Sequence, residues 1–492
     1  LSCPQIEGFV SKWADHRLQK NRFPLLSKIT EMRRDHYIQC ATDRSLLPHS
    51  KFHPRMAFYY IFVKIPFTGD SASITDLQQA ITSAKELRGT AKGALKAALL
   101  PSDNLSESEL KYLLRELLNP VGQPQHRLIN RSPTAPLLDD ILDKSTRLHK
   151  DNSGTILVSN DLLGDNSCAI TCLTIDAWPK HHYLNAMART LGDPVSQDER
   201  ITCPYWAYTI VHVLHPDKAK DDLFTKFGLL NKQTSTESAW YRSMMGPLFQ
   251  RKERAEALLQ ELDNGHTLCR IVGGINLYTP PNESRQHAEY VKGLYRRIGC
   301  RLTSEPHISV PIFISSLPLQ YLPSTDKPGK GLQRAELVSS LNAACTLQVQ
   351  GDWRGTSLAK GGGLLLLSRS GQVISFDVFQ SSTNYNFVVA AASGSGKSFF
   401  ANELANDMLS RGGVVRIIDV GRSYARLCHI MKGQNIIFSP ENPMSLNPFT
   451  DVTDQARLNE LMPLLKALLR LMAYPLTPEE ESPPFQYKKK KK

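Results

Sequence analysis

Apolar residues recur along this chain at the two periods that mark regular structure, and they divide it into two textures. Residues 56–67, MAFYYIFVKIPF, are dense in aromatic and branched side chains and predict a strand. Helical spacing follows near 75–100 and 107–118, after which Pro120, Pro124, Pro133 and Pro136 break the pattern and mark a loop or an internal boundary. Strands are predicted near 154–159 and 168–175, with a helix around 181–191. Thr234 and Glu237 fit a capping box that opens a helical run ending at Asn264 and Gly265. Next come TLCRIVGGI as a strand, RQHAEYVKGLYRRIG as a helix, and HISVPIFISSL, where Ile308, Val310, Ile312 and Ile314 alternate as on a half-buried strand. The strand-helix-strand rhythm makes residues 1–335 a mixed α/β region of two subdomains, and no motif in it names a reaction.

From about residue 336 the texture changes to short apolar runs. TLQVQ, GGGLLLLSR and QVISFDVF read as short strands that lead into the apolar run 386–390. Phe400, Ala401, Leu404, Ala405 and Met408 then fall at helical spacing, and Gly412 and Gly413 stand where a left-handed helix cap is needed. VVRIIDV, almost continuously apolar, predicts a strand covered on both faces of a parallel sheet, reached by a right-handed crossover. Residues 434–438, QNIIF, read as a further strand, and Leu458, Leu461, Met462, Leu465, Leu468, Leu469 and Met472 form a helical stripe before Pro475.

Composition narrows the function classes. A chain of 492 residues with 41% hydrophobic and 22% charged residues can bury several cores and is neither disordered nor fibrous. Its nine cysteines are odd in number, scattered and without C-x-x-C spacing, which predicts a reducing, cytoplasmic setting. No run of about 18 apolar residues predicts a spanning helix. Lys12, Asp15, Arg17, Lys20 and Arg22 interrupt the start, so no signal peptide is predicted. The first residue is Leu1 rather than Met, from which an upstream beginning is expected. Of the net charge of +12, five charges come from the oligolysine at 488–492, which reads as an end artefact or a tag. The remaining excess is mild and includes short pairs such as Arg33–Arg34 and Arg296–Arg297, a solvated surface rather than a dedicated nucleic-acid groove, and direct nucleic-acid binding stays open.

Between the apolar run and the helical stripe, residues 391–398 read AASGSGKS. Gly396, Lys397 and Ser398 complete a phosphate-binding pattern in which Ala391 takes the place of the first glycine. A triphosphate needs donors that are close, numerous and fixed. The small residues Ala392, Ser393, Gly394, Ser395 and Gly396 let the backbone curl around it, and the helix start, through Phe399, turns unpaired N–H groups towards it. Lys397 is placed to reach the outer phosphates of ATP, and the Ser398 hydroxyl to ligate Mg²⁺. Asp419 closes the next apolar strand and is the candidate catalytic carboxylate beside Lys397, although a cap on Arg422 or Ser423 is an equal reading. No apolar run followed by Asp-Glu comes later. His212 and His215 lack metalloprotease spacing, and His181, His182, Cys168 and Cys172 read as structural; Glu479, Glu480 and Glu481 read as a solvated run. The fold class predicted is therefore α/β: the mixed amino-terminal region, then the start of a P-loop (RecA-like) parallel-sheet ATPase domain over 336–475, then an exposed tail at 476–492.

With this loop, DVGRSY at 419–424 and SLNPF at 445–449, the chain resembles the TraC-like ATPases of conjugative type IV secretion, within the HerA/FtsK group of ring motors. The likeness is specific over about 340–475, and LLRELLNP and ITCLTIDAWP extend it upstream. The resemblance implies a hexameric ATPase using ATP and Mg²⁺, cytoplasmic and peripheral at the bacterial inner membrane. It also implies other secretion components there as partners, in pilus assembly and substrate transfer. Lys397 and Ser398 match the family's phosphate and metal positions; its Asp-Glu strand, glutamine strand and arginine lie downstream of residue 492, so the chain reads as an ATPase cut off after its nucleotide loop. A DNA translocase or coupling protein of the same group, and a scaffold that binds ATP without turnover, are the alternatives.

Overall fold

The computed structural model describes residues 4–42, 45–46, 53–65, 73–98, 100, 102–121, 137–161, 167–179, 187, 201–235, 239–323, 332, 334–348, 353, 355–358, 362–368, 371–439, 447–450 and 452–473. They fall into two compact units, Leu1–Arg416 and Ile417–Lys492. In the first, α1 (Pro4–Leu18) and α2 (Pro24–Thr42) pair as a hairpin, with Asn21 in the turn accepting from Phe23 N–H at 2.9 Å and Pro24 at a first helical position that needs no donor. Next, α3 (Ile74–Ala97) has no buried residue, whereas α4 (Glu107–Leu118) opens on a reciprocal cap between Ser106 and Glu109 and buries Leu113, Leu114 and Leu117. A short helix, α5 (Leu137–Ile141), precedes the sheet.

The sheet begins with β1 (Thr146–Lys150), β2 (Ile156–Asn160), β3 (Ser167–Ala177) and β4 (Tyr205–Val213). Three helices, α6 (Pro216–Gln233), α7 (Ala239–Met244) and α8 (Gly246–Asp263), lead to β5 (Leu268–Thr279), then α9 (Ser284–Arg297), β6 (Arg301–Ser304), α10 (Ser309–Ser316), β7 (Glu336–Ser339) and α11 (Ser340–Cys345). The seven strands pair antiparallel in the order β1-β2-β3-β5-β4, with β6 on β3 and β7 on β5. The period of two sorts β3 onto two cores. Leu173 and Ile175 face Val291, Leu294 and Tyr295 of α9, while Cys168, Ile170 and Cys172 face Leu113 and Leu117 of α4 and Ile312 and Phe313 of α10. Each large apolar side chain so buried contributes roughly 1.5–3 kcal/mol. Gly274 of β5 is fixed by sterics, because a Cβ there lies 2.5 Å from Leu173 O and 2.6 Å from Tyr208 Oη.

Several expectations are corrected. Residues 308–314 form no strand: Ser309, Ile312, Phe313 and Ser316 share the buried face of helix α10, while Val310 and Ile314 point outward. Four apolar residues at alternate positions fit both periods, and the intervening Phe313 decides for 3.6. Thr234 ends α6 rather than opening a helix, its hydroxyl donating to Leu230 O at 2.8 Å; Glu237 lies outside the described residues. Residues 56–65 form no strand of the described sheet; Phe58, Tyr60 and Phe62 stack in a row, and Tyr60 and Phe62 join the α4–α10 core. The helix expected at 181–191 falls almost entirely outside the described residues, as do Pro124, Pro133 and the tail.

Downstream, the expected short strands β8 (Leu364–Leu367) and β9 (Val373–Phe376) are present, and they pair antiparallel. They form a core with the amino-terminal hairpin: Ile6, Val10, Trp13 and Ala14 of α1 are buried with Leu358 and Val373. The helix after the loop is α12 (Lys397–Ser410), ended by Gly412 at φ 80°. Its deepest positions are Ala405, Asp407 and Ser410, so the apolar stripe alone does not define its buried face. The segments 386–390, 414–420 and 434–438 carry no strand ladder among the described residues, and Val388, Val414, Ile418 and Val420 are almost wholly exposed. A ladder needs a neighbouring strand, and no described residue supplies one, so these three segments pair in no sheet among the described residues. The second unit contains α13 (Ala425–Ile430) and α14 (Gln455–Ala473), the latter with Leu465 buried.

Candidate nucleotide site

The 391–398 loop has the backbone that its glycines permit. Gly394 and Gly396 sit at φ 77° and 94°, and a Cβ at either meets nothing within 4 Å. The need there is conformational: an L-residue in this region costs roughly 1–2 kcal/mol. Between them Ser395 closes a tight turn, its N–H and hydroxyl both donating to Ala392 O, at 3.2 Å and 2.6 Å. Gly396 is the N-cap of α12 and makes no side-chain cap bond, and Phe400 N–H takes its carbonyl at 2.9 Å. The first-turn N–H groups of Lys397, Ser398 and Phe399 therefore have no intrahelical acceptor.

Charge and exposure agree with that geometry. The first turn of α12 has no acidic residue, and Lys397 makes no ion pair with any described residue. Ala391, Ala392, Ser393, Gly394, Ser395, Gly396, Lys397 and Phe399 are exposed, and Ser398 is half-buried. The structure thus brings the predicted loop residues together as an open cradle of N–H donors with one ammonium beside it, which fits a polyphosphate. The Ser398 hydroxyl, one residue on, fits a metal held against that phosphate.

Asp419 belongs to the second compact unit, where it is exposed and its Oδ2 accepts from Ser423 N–H at 2.6 Å. Arg422, in that turn, has φ 63°. Of SLNPF, residues 447–449 are described, and Asn447 Oδ1 accepts from Phe449 N–H at 3.0 Å. Among the described residues no group of three His, Cys, Asp or Glu could hold a metal ion, and no helix is long and apolar enough to cross a membrane. His212 lies on β4 with its pKa lowered by burial and then by Arg270.

Cys168 and Cys172 are buried on β3, and burial pushes their thiols up to about 11 and about 12; Cys203 and Cys300 rise to about 12 for the same reason. A raised thiol pKa removes thiolate at any lower pH, and at about pH 8 the thiolate fraction is about one in a thousand or less. Iodoacetamide on the native chain should leave these four unmodified and label the partly exposed Cys428, as read by peptide mass spectrometry. Rapid labelling of Cys172 in the folded chain would show that β3 is not buried as described.

Sequence reasoning missed the buried charges below the cradle. Arg17 of α1, Asp407 of α12, Arg411 and Asp377 form one ion-pair network. An aspartate beside an apolar stripe is the sole sequence signal, and it names no partner.

Residues 2–321 match the family model described as TraC protein, and residues 367–480 match the TraG P-loop domain. The chain is 24% identical over 447 residues to Protein TraC of Escherichia coli strain K12, across 86% of this chain and 47% of that protein. It thus spans about half the length of the curated relative it matches. The candidate loop lies within the P-loop match, and the fold is α/β with a P-loop region.

Proposed function

The chain belongs to the TraC protein family, and from that premise we propose that it carries the ATP-binding part of a conjugative transfer ATPase of type IV secretion. The observation that supports this reading is the cradle at 391–398, two left-handed glycines feeding a helix start whose first N–H groups lack intrahelical acceptors, with a lysine that pairs with no described residue. In this reading the N–H groups of Gly394 and of residues 396–399 hold the phosphate oxygens, and Lys397 neutralises charge on the outer phosphates. Ser398 holds Mg²⁺, which when bound spreads the phosphate charge. Asp419 is the candidate carboxylate for the metal shell and for polarising water, and its bond to Ser423 N–H engages only Oδ2. The nucleotide-binding domain extends over 336–475, and the amino-terminal region precedes it.

The family resemblance extends the proposal to the assembly: a hexamer on the cytoplasmic side of the inner membrane, among other secretion components, that energises pilus assembly and the transfer of DNA or protein. Calorimetric titration of MgATP into the chain tests the primary claim. Saturable binding at one site per chain is expected, and the absence of binding would falsify it.

Ser398→Ala separates phosphate from metal. Backbone N–H groups are untouched by the change, so nucleotide contact persists, while the Mg²⁺ concentration needed for half-saturation at fixed ATP rises about tenfold, the equivalent of about 1.4 kcal/mol. Superimposable Mg²⁺ titrations of the two proteins would remove the hydroxyl from the metal site.

A further inference from the structure

Buried charge lies at one place that the nucleotide chemistry does not use. On α12, about 15 Å along the axis from Lys397, Asp407 is fully buried. Its Oδ1 accepts from Arg17 Nη1 at 3.0 Å and its Oδ2 from Arg411 Nη2 at 2.7 Å. Arg411 also grips Asp377, just past β9, through Nη1 and Nη2 at 3.1 Å each. Arg17 is itself buried, lies over the Trp13 ring at 4.9 Å, and keeps a buried Nε without an acceptor among the described residues. One turn before Asp407, Glu403 pairs with Arg33 of α2 at 2.6 Å. Both helices of the amino-terminal hairpin therefore hold the same stretch of α12.

Such a cluster is a poor source of stability, because desolvation of the ions offsets their attraction. Burial pulls Arg17 down to about 10 and pushes Asp407 up, against the attraction of each for the other. What the cluster supplies is geometry. A charged hydrogen bond tolerates a narrow range of distance and angle, whereas apolar surfaces slide.

We propose that the α1–α2 hairpin positions the nucleotide loop, with Arg17 as its positioning residue. The proposal rests on the nucleotide reading above. Over this length α12 behaves as a rod, so Arg17 and Arg33 at its far part set the axial shift and roll at which its first turn presents Lys397 and Ser398. A misplacement of about 1 Å at such a site can cost two orders of magnitude in rate. The coupling is also reciprocal: if a seated hairpin favours the binding geometry of the loop, nucleotide on the loop must favour the seated hairpin.

Hydrogen exchange on the full chain, with and without MgATP, tests this alongside Arg17→Met, Arg17→Lys and Lys397→Ala. In the unmodified chain MgATP should slow exchange across residues 4–42, and in Lys397→Ala it should not. Arg17→Met, which keeps the aliphatic bulk, should lower MgATP affinity about tenfold, the equivalent of about 1.4 kcal/mol. It should also raise exchange at 397–404 and leave β3 and β5 as they were. Arg17→Lys, with the charge but not the planar fork, should recover part of the affinity. Binding of MgATP with no change at residues 4–42 overturns the proposal, and so does a folded Arg17→Met with native affinity. Should Arg17→Met not fold, the response of the unmodified chain and Arg17→Lys decide. A chain that binds no MgATP sinks the nucleotide reading alone, and exchange at 397–404 in Arg17→Met then decides separately: raised exchange upholds positioning, unchanged exchange ends it.

Discussion

Lys397→Ala lowers the affinity for MgATP by about ten- to a hundredfold and leaves the unfolding midpoint where it was. The two halves of this expectation have separate causes. Lys397 is exposed, stands first in α12 and pairs with no described carboxylate, so folding does not draw on its charge. Alanine is also a better helix former. A contact from an ammonium to a phosphate oxygen, by contrast, contributes about 1.5–3 kcal/mol, and each 1.4 kcal/mol is about a factor of ten in affinity. Calorimetry with MgATP and a thermal melt of both proteins measure the two halves. Native affinity in the mutant would take the phosphate site away from the loop.

The loop was legible because its chemistry is local. Two glycines, a lysine and a serine within a few residues fix backbone dihedrals, a helix start and a charge, and no distant partner is needed to shape them. Helices with sustained apolar stripes, such as α4, which also carries a cap, α9 and α14, were legible for the same reason. The strand pair β8–β9 was also readable, as two apolar runs separated by a polar turn.

What was not legible depends on partners far along the chain. Residues 308–316 fit two periods over four apolar positions, and only packing against β3 makes them the helix α10. Residues 414–420 read as a doubly covered strand, yet a run of branched residues specifies a strand only when neighbours offer a ladder. Asp407 and Arg17 lie 390 positions apart, so neither could be paired from sequence. For Asp419, position at a strand end supports a metal role, while its one described bond is the local one to Ser423.

Trp13→Ala should cost about 3–5 kcal/mol, the usual range for deleting a buried aromatic side chain. Trp13 has no exposed surface, packs among Ile6, Val10, Leu358 and Val373, and donates through Nε1 to Gly363 O at 2.7 Å. The space is made for it: a Cβ on the neighbouring Gly362 comes within 3.3 Å of Trp13 Cδ1. Truncation therefore opens a cavity, leaves a carbonyl without its donor and takes the ring from beneath Arg17. The loss should be local, because this core contains the hairpin and the β8–β9 pair but none of the seven-stranded sheet. Exchange is expected to rise across 4–42 and 362–376 while β3 and β5 stay protected, with urea unfolding of this part moved to lower concentration. Trp13→Phe, which keeps most of the volume and loses the N–H, should fall between. If all of the sheet loosened together with the hairpin, the two cores would be one cooperative unit, and the separate seating of α1 on β8–β9 would be refuted.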